Sequence, residues 1–350
     1  MINEIIIQDI IRIIQNYDFS EFKNKSVIIS GANGFLPAYM VDVLMYLNDN
    51  KGYNTQIYAV CRSEVNFRAR LGIYDNHQNF HLIISDIVNF TYESVSSLLP
   101  EKIDYVIHAA SLASPKYYGK DPVGTLLPNI VGTKNLLDIA RRSHCESFLL
   151  FSSGEVYGEV KEELISEENY GFVNTLDVRS CYAESKRMAE NMCISYAHQF
   201  NISVKIVRPF HTYGPGMKLD DGRVFADFVS DIVHDKDIEL KSDGSAKRPF
   251  CYISDAVLAF FMVLEKGRNK EAYNVANPYQ IKSIRELAEM LLNLFRDKNI
   301  NLSFSKKKNL EYIKSKIKNQ VPCIAKIEKL GWRPQISIEE GFVRTVRSYS

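Results

Sequence analysis

Hydrophobic residues along the chain follow two rhythms. Short runs rich in Val, Ile, Leu and Phe alternate with longer stretches in which apolar positions recur every three or four residues. The runs are Lys25–Ser30 (KSVIIS), Gln56–Cys61 (QIYAVC), His81–Ser85 (HLIIS), Asp104–His108 (DYVIH), Phe148–Phe151 (FLLF) and Val204–Val207. Runs of this kind bounded by turn residues predict buried strands. Phe35–Asn48 and Asn129–Ser143 have the helical rhythm. Strand and helix in alternation predict a parallel sheet with helices on both faces. The pattern loosens after about residue 210. Gly214-Pro215-Gly216 is a turn, Phe225–His234 is helical, Arg248–Ile253 suits a short strand and Ser254–Lys266 a helix. A last αβ-like stretch ends near Leu330–Pro334. The fold class is therefore α/β: a doubly wound parallel sheet plus a smaller, partly discontinuous C-terminal α/β lobe. That lobe is expected to close over the carboxyl ends of the strands, where ligands of open α/β sheets bind.

The N-terminus, MINEIIIQDIIRIIQNYDF, is Ile-rich but interrupted by Glu4, Asp9 and Arg12. It lacks the unbroken apolar stretch of a signal peptide, and no run approaches a membrane span. Residues 3–16 predict an amphipathic helix covering apolar surface of the domain or of a partner subunit. The expected division is a helical extension over 1–24, the parallel-sheet domain over 25–210 and mainly the smaller lobe over 211–350.

Charge narrows the partners. Lys+Arg total 43 against Asp+Glu 42, so no net field attracts nucleic acid or an acidic membrane. An anionic ligand would need a local positive site. Cys61, Cys145, Cys181, Cys193, Cys251 and Cys323 are scattered and none has zinc-ligand spacing, so no metal is expected. They suit buried thiols of a reducing compartment, and the expected location is cytoplasmic.

The first strand runs into Ser30-Gly31-Ala32-Asn33-Gly34-Phe35-Leu36-Pro37. Gly31 permits a tight turn, and Gly34 lets the backbone approach a pyrophosphate resting on the helix N-terminus. Pro37 stands where a third glycine is usual, and a first helical turn tolerates it. This places a Rossmann-type dinucleotide site at the first strand. The end of the second strand reads Cys61-Arg62-Ser63, with Arg68 and Arg70 beyond, and no carboxylate stands ready for a ribose 2′-hydroxyl. Arginine there favours NADP.

Two further motifs carry chemistry. Tyr182-Ala183-Glu184-Ser185-Lys186 puts a phenol and an ammonium on one helical face. A Tyr of pKa near ~10 is a poor base at neutral pH. A Lys ammonium and a nicotinamide cation nearby are expected to lower it. Ser152-Ser153-Gly154-Glu155-Val156-Tyr157-Gly158 directly follows the strand FLLF, placing hydroxyls and a carboxylate at a strand's carboxyl end.

With these three motifs in this order, the chain resembles the extended short-chain dehydrogenase/reductases that modify nucleotide-activated sugars, over roughly residues 25–345. Within that family, HAASLASPKYYGKDP (108–122), SSGEVYG, RSCYAESKRMAENMC (179–193), TYGPGMKLDDGRVFADF (212–228) and GSAKRPFCYISD (244–255) resemble the UDP-glucuronate decarboxylases. The resemblance implies roles. Ser153 would bond the reacting sugar hydroxyl, Tyr182 act as base at C4, and Lys186 tune it and hold the nicotinamide ribose. Glu155 would act near C5 and C6. Gly31, Asn33, Gly34, Phe35, Arg62, Asp86, Ile87, Ala109, Ala110 and Pro209 would line the cofactor, with Tyr182 and Lys186. Ser111, Ser114, Arg179, His211, Arg223 and Arg248 would meet the substrate.

Three positions depart from the family. Gly154 replaces the Ser of related decarboxylases and the Asp of many dehydratases, His211 replaces Asn, and Cys61 replaces the ribose-binding Asp. The implied activity is a lyase that oxidises sugar C4 and releases CO2 from C6. A 4,6-dehydratase and a 4-epimerase are the alternatives, and an NAD(P)-sensing module would have no need of Ser153, Tyr182 and Lys186. The expected cofactor is NAD, because an enzyme that regenerates its cofactor needs no NADPH pool; NADP is the alternative. A homodimer is expected, with Met188, Met192, Ile194 and Tyr196 offering apolar surface on helix 180–199.

Overall fold

The computed structural model describes residues 2–304 and 321–349. Its central sheet has seven strands: β1 Ser26–Ser30, β2 Gln56–Cys61, β3 Phe80–Ile84, β4 Tyr105–His108, β5 Ser147–Phe151, β6 Val204–Pro209 and β7 Glu271–Val275. Their order is β7-β6-β5-β4-β1-β2-β3, and every neighbouring pair is parallel. The first six lie where the apolar runs placed them. The seventh, Glu271-Ala272-Tyr273-Asn274-Val275, was not expected; a polar residue at every third position masks it, and pairing with β6 makes it a strand.

The order reverses between β1 and β4, which opens a crevice at the carboxyl ends of these strands. Alternation along β1 sorts the two faces. Val27 and Ile29 join the core under helices Phe35–Lys51 and Ile253–Lys266, while Ile28 joins the core under Pro122–Arg142 and Cys181–Phe200. Helix Pro122–Arg142 begins seven residues before the expected Asn129, and its internal Pro128 hid that. Pro122 needs no N–H in a first turn, and Asp121 Oδ1 accepts the Gly124 N–H at 2.9 Å. The early start carries the helix over the cleft.

The N-terminal helix, Glu4–Gln15, packs on its own chain through Ile6, Ile10 and Ile13, against Phe35–Lys51 and Ile253–Lys266. Asp9 on its buried face accepts from Tyr39 Oη at 3.2 Å, Tyr252 Oη at 2.8 Å and Arg344 Nη2 at 2.7 Å. Arg344 belongs to the helix Ile338–Arg347, so one carboxylate fastens the chain's first helix to its last. Among the described residues no helix is long and apolar enough to cross a membrane. All six cysteines are free thiols.

Candidate active site

The cofactor end of the cleft is built from backbone. Gly31 sits at φ +65°, and a Cβ there would lie 2.8 Å from Ala110 Cα, so only glycine fits. The Gly34 N–H closes the turn on Gly31 O at 2.7 Å. Helix Phe35–Lys51 starts with no side-chain cap at Gly34, which leaves its first-turn N–H groups directed at the cleft. This is the donor set a pyrophosphate requires. Ser30 Oγ lies 2.8 Å from His108 Nδ1 and accepts the N–H groups of Ala109 and Ala110, each at 3.2 Å. His108 Nε2 is 3.2 Å from Pro128 O. Burial, reinforced by the Lys186 charge, lowers this imidazole to about 3, so it stays neutral. Neutral His108 donates from Nε2 and accepts the Ser30 hydroxyl at Nδ1, a chain that positions the 109–110 backbone beside the glycine loop.

At the end of β2 the Cys61 sulfur faces the Asn33 N–H, and burial pushes its thiol up to about 11. Arg62 is exposed. Arg68 is tied to Glu64 and Asp75, each at 2.7 Å. Arg70 turns inward onto the fully buried Asp42. Two of the three arginines that pointed to a 2′-phosphate are thus committed elsewhere. Asp86 Oδ1 caps the Val88 N–H at 3.0 Å. Ile87 packs against Gly132, where a Cβ would come within 2.9 Å of it. Pro209 ends β6.

The reactive centre lies where helix Cys181–Phe200 crosses β5. Lys186 Nζ donates to Phe151 O at 2.6 Å and lies 5.8 Å from the Tyr182 ring centroid. Ser153 hydrogen-bonds Tyr182. Burial pushes the Tyr182 phenol up to about 12, against the Ser153 hydrogen bond, and pushes Lys186 down to about 7, against Glu190. In the protein alone, burial dominates at Tyr182 and drives the lysine itself toward neutrality; the lowering expected from a nicotinamide cation belongs to the cofactor-bound state. Asn129 Nδ2 donates to Thr125 O and to Ser185 Oγ, both at 3.0 Å, while its Oδ1 is shielded from solvent without a partner among the described residues.

At the substrate end, Glu155 is not the open carboxylate its motif suggested. Arg179 Nη1 and Nη2 bind its two oxygens at 3.1 and 3.2 Å. The same guanidinium lies 5.8 Å from the Tyr118 ring, and Tyr118 stacks on Tyr182 with centroids 5.0 Å apart. Glu155, Arg179, Tyr118 and Tyr182 thus form one continuous wall. Gly154 lacks a side chain for a local reason: a Cβ there would stand 2.5 Å from the Phe210 ring.

Ser114, expected to face substrate, donates instead to Asp221 O. Lys116 Nζ reaches Asp220 O at 2.8 Å, and Arg223 Nε binds Asp221 Oδ2 at 2.6 Å. The 220–223 segment is thereby strapped from the C-terminal lobe onto the loop after β4. Arg248 Nη1 donates to Lys247 O at 2.8 Å. Ser111 Oγ and His211 Nδ1 are shielded and have no partner among the described residues. Tyr118, Lys116, Asn129, Asp221 and Phe210 escaped the sequence reading. Three of them lie inside the family-like segments, but nothing in their local pattern says which ring or carbonyl each will meet. Among the described residues no group of His, Cys, Asp and Glu could hold a metal ion.

Comparison with known proteins agrees with this arrangement. The NAD dependent epimerase/dehydratase family matches residues 27–276. UDP-glucuronic acid decarboxylase 3 of Arabidopsis thaliana is 35% identical over 319 residues, covering 91% of this chain and 87% of its own. UDP-glucuronic acid decarboxylase 1 of Xenopus tropicalis is 32% identical over 331 residues, covering 94% and 73%. Among solved structures, UDP-glucuronic acid 4-epimerase from Bacillus cereus, in complex with UDP-glucuronic acid and NAD, superposes with a TM-score of 0.77 at 23% identity, over 93% of this chain and 98% of that one. The dTDP-glucose 4,6-dehydratase of Bacillus anthracis, in complex with NAD, gives 0.75 at 21%, over 93% and 96%. The glycine turn, the Tyr182–Lys186 pair and these matches together establish that the chain is an enzyme of the NAD dependent epimerase/dehydratase family.

Proposed function

We propose that the chain is a UDP-glucuronate decarboxylase-like lyase acting through oxidation at sugar C4. The observation that carries this is the Glu155–Arg179 fork beside Tyr182. Loss of water across C5–C6 requires a base free to take the C5 proton, and both Glu155 oxygens already accept guanidinium hydrogen bonds. Decarboxylation requires no such base, because the departing CO2 leaves its electron pair on C5, where the C4 ketone stabilises it as an enolate. The 31–35% identity to UDP-glucuronic acid decarboxylases supports the same choice.

In this reading Gly31, Asn33, Gly34 and Phe35 hold the pyrophosphate of the cofactor, with Arg62, Asp86, Ile87, Ala109, Ala110 and Pro209 around it. NAD is the proposed cofactor, since Arg68 and Arg70 are engaged away from a 2′-phosphate; bound there, it would supply the reversible hydride acceptor that oxidation at C4 needs. Tyr182 takes the C4 hydroxyl proton, and Ser153 holds that hydroxyl. Their burial keeps the phenol protonated until a further positive charge is bound nearby. Glu155 and Arg179 orient the ring, and the C5 enolate left by CO2 takes its proton from water. Ser111, Ser114, His211, Arg223 and Arg248 form the substrate wall, with Ser114 acting through the strap. The domain division at residues 24 and 210 belongs to the same reading, as does a cytoplasmic setting.

The protein is further proposed to be a homodimer. Met188 is half exposed on helix Cys181–Phe200, and Val123 and Leu127 are exposed on the neighbouring helix, so they offer one apolar stripe. Met192, Ile194 and Tyr196, expected in that stripe, are partly buried and pack against the sheet core. Light scattering giving a monomer at micromolar concentration would refute the dimer. The reaction is tested by incubation with UDP-, dTDP-, GDP- and CDP-sugars. Mass spectrometry showing loss of about 44 Da (CO2) from UDP-glucuronate supports it; loss of about 18 Da (water) indicates a dehydratase and unchanged mass an epimerase.

A further inference from the structure

Arg208, near the carboxyl end of β6, is buried, and its guanidinium bonds to three segments that lead to the reactive centre. Nε and Nη2 fork onto the Glu190 carboxylate at 2.9 and 2.7 Å. Glu190 stands one turn beyond Lys186 and two beyond Tyr182 on helix Cys181–Phe200. Nη1 donates to Tyr157 Oη at 2.9 Å and to Glu167 O at 3.2 Å. Tyr157 closes the turn Gly154–Tyr157, which starts at Ser153 and carries Glu155. Glu167 lies on the excursion that returns to the cleft as Arg179. The network is closed on itself: Tyr157 Oη donates to Asn274 Oδ1 at 2.5 Å, and the Asn274 N–H donates to Glu167 Oε1 at 2.8 Å. Asn274 is also the partner of Arg208 in the β7–β6 pairing. Burying an ion pair costs desolvation, and apolar side chains of similar volume would hold helix to strand at least as well. What they would not supply is direction: a planar guanidinium fixes the angle and the distance of every group it bonds.

We infer that Arg208 and Glu190 are positioning residues, which hold the Tyr182–Lys186 helix, the Ser153–Glu155 turn and the segment ending in Arg179 in one register around the sugar. The inference rests on the proposed oxidation at C4, a step common to the decarboxylase, dehydratase and epimerase readings. Ser153 and Tyr182 must meet the same hydroxyl, yet they stand on different segments. The backbone ladder between β5 and β6 ends where the Ser152 N–H donates to Val207 O at 2.8 Å. Arg208, the next residue of β6, continues the tie through Tyr157 and reaches the helix through Glu190. A misplacement of about 1 Å between reacting groups costs ~10²-fold in rate. The fork therefore acts on turnover through the groups it places.

Steady-state kinetics of the holoenzyme on UDP-glucuronate, with and without deuterium at C4, tests this. Tyr157→Phe keeps the ring and cuts the bonds to Arg208 and Asn274. Its kcat should fall by about tenfold, with KM and the Kd for NAD within about twofold of wild type. The isotope effect on kcat should be undiminished, which places the loss in hydride transfer. Arg208→Lys keeps the charge but loses the fork, and kcat should fall by ~10²-fold; should it fail to fold, Tyr157→Phe decides alone. Lys205→Met, which breaks a buried network at the other end of β6, controls for lost stability and should leave kcat and the isotope effect as they are. A Tyr157→Phe enzyme that melts earlier but turns over like wild type overturns the inference. So does a rise in KM at unchanged kcat, or a slower kcat with the isotope effect gone. Loss of water or inversion at C4 by the wild type overturns the decarboxylase reading alone, and the same comparison on that reaction still decides the inference. A wild type inert toward UDP-, dTDP-, GDP- and CDP-sugars overturns both.

Discussion

Two buried lysines stand at opposite ends of the central sheet. Lys205, near the amino end of β6, donates to Ser147 Oγ at 2.7 Å and to Ser203 Oγ at 2.8 Å, and Ser147 passes the chain on to Leu264 O at 2.8 Å. Lys186, at the carboxyl end of β5, has one hydrogen bond, to Phe151 O. Burial lowers the pKa of both. Around Lys205 the polar groups answer one another, as buried groups in a finished structure do. Around Lys186 they do not: Asn129 Oδ1, Ser111 Oγ and His211 Nδ1 lack partners among the described residues. The cluster around Lys205 is satisfied by the chain alone, and the polar atoms at the carboxyl end are not. Equal burial therefore marks structure at one end and chemistry at the other.

The sharpest way to break this contrast is at Tyr182. Tyr182→Phe removes one oxygen and little volume, and turnover should fall by ~10²–10⁴-fold, the range of a lost general base. Cofactor binding, followed by fluorescence, should stay nearly intact. Retention of more than about a tenth of the wild-type rate would remove Tyr182 from the role of base. Glu155→Gln keeps the side chain's size but removes its negative charge and one of the two oxygens that accept from Arg179. A decarboxylase should slow by about 10–100-fold, less than the full loss of a base. A dehydratase should lose most of its rate and cease exchanging solvent deuterium into C5. An almost unaffected variant would leave only the 4-epimerase.

At the other end of the sheet, Lys205→Met should leave kcat within about twofold and cost about 1–3 kcal/mol of stability in denaturant melts, from hydroxyls left short of a partner. A catalytic defect as large as that of Tyr182→Phe would erase the distinction between the two ends. The last effect concerns pH. The folded pKa of Lys186, about 7, lies below its ordinary 10.5. Its stability contribution is thus complete above about pH 10.5 and is lost as pH falls toward 7, by about 1.4 kcal/mol per unit. Cofactor-free wild type should gain stability over Lys186→Met as pH rises from about 7.5 to 9.5; parallel melting curves would show that Lys186 is not held near neutrality.

How much of this was visible beforehand depends on the distance over which each feature is decided. Six of the seven strands followed from apolar runs, because a strand buried on both faces writes its burial into consecutive residues. The glycine loop followed for the same reason. Gly31 and Gly34 stand three apart, and the turn they make is settled by backbone sterics within that span. Tyr182 and Lys186 needed only one helical turn to share a face.

Tertiary structure decided whatever joins distant segments. Edge strand β7 carries no apolar run, and only pairing with β6, more than sixty residues earlier in the chain, makes it a strand. Glu155 meets Arg179 across 24 residues, Ser114 meets Asp221 across 107, and Asp9 meets Arg344 across 335. A carboxylate's partner depends on which guanidinium packing brings within about 3 Å, and residue type does not encode that distance. Likewise Gly154 reads as a lost side chain until the Phe210 ring is found in its space. By itself the sequence determined six of the sheet's seven strands, the phosphate turn and the Tyr–Lys pair, whose forces act over a few bonds or one turn. Only the folded chain decided which charges are paired, which nitrogens are left waiting and which arginines still face the cleft, because Coulomb and hydrogen-bond energies depend on positions that packing alone sets.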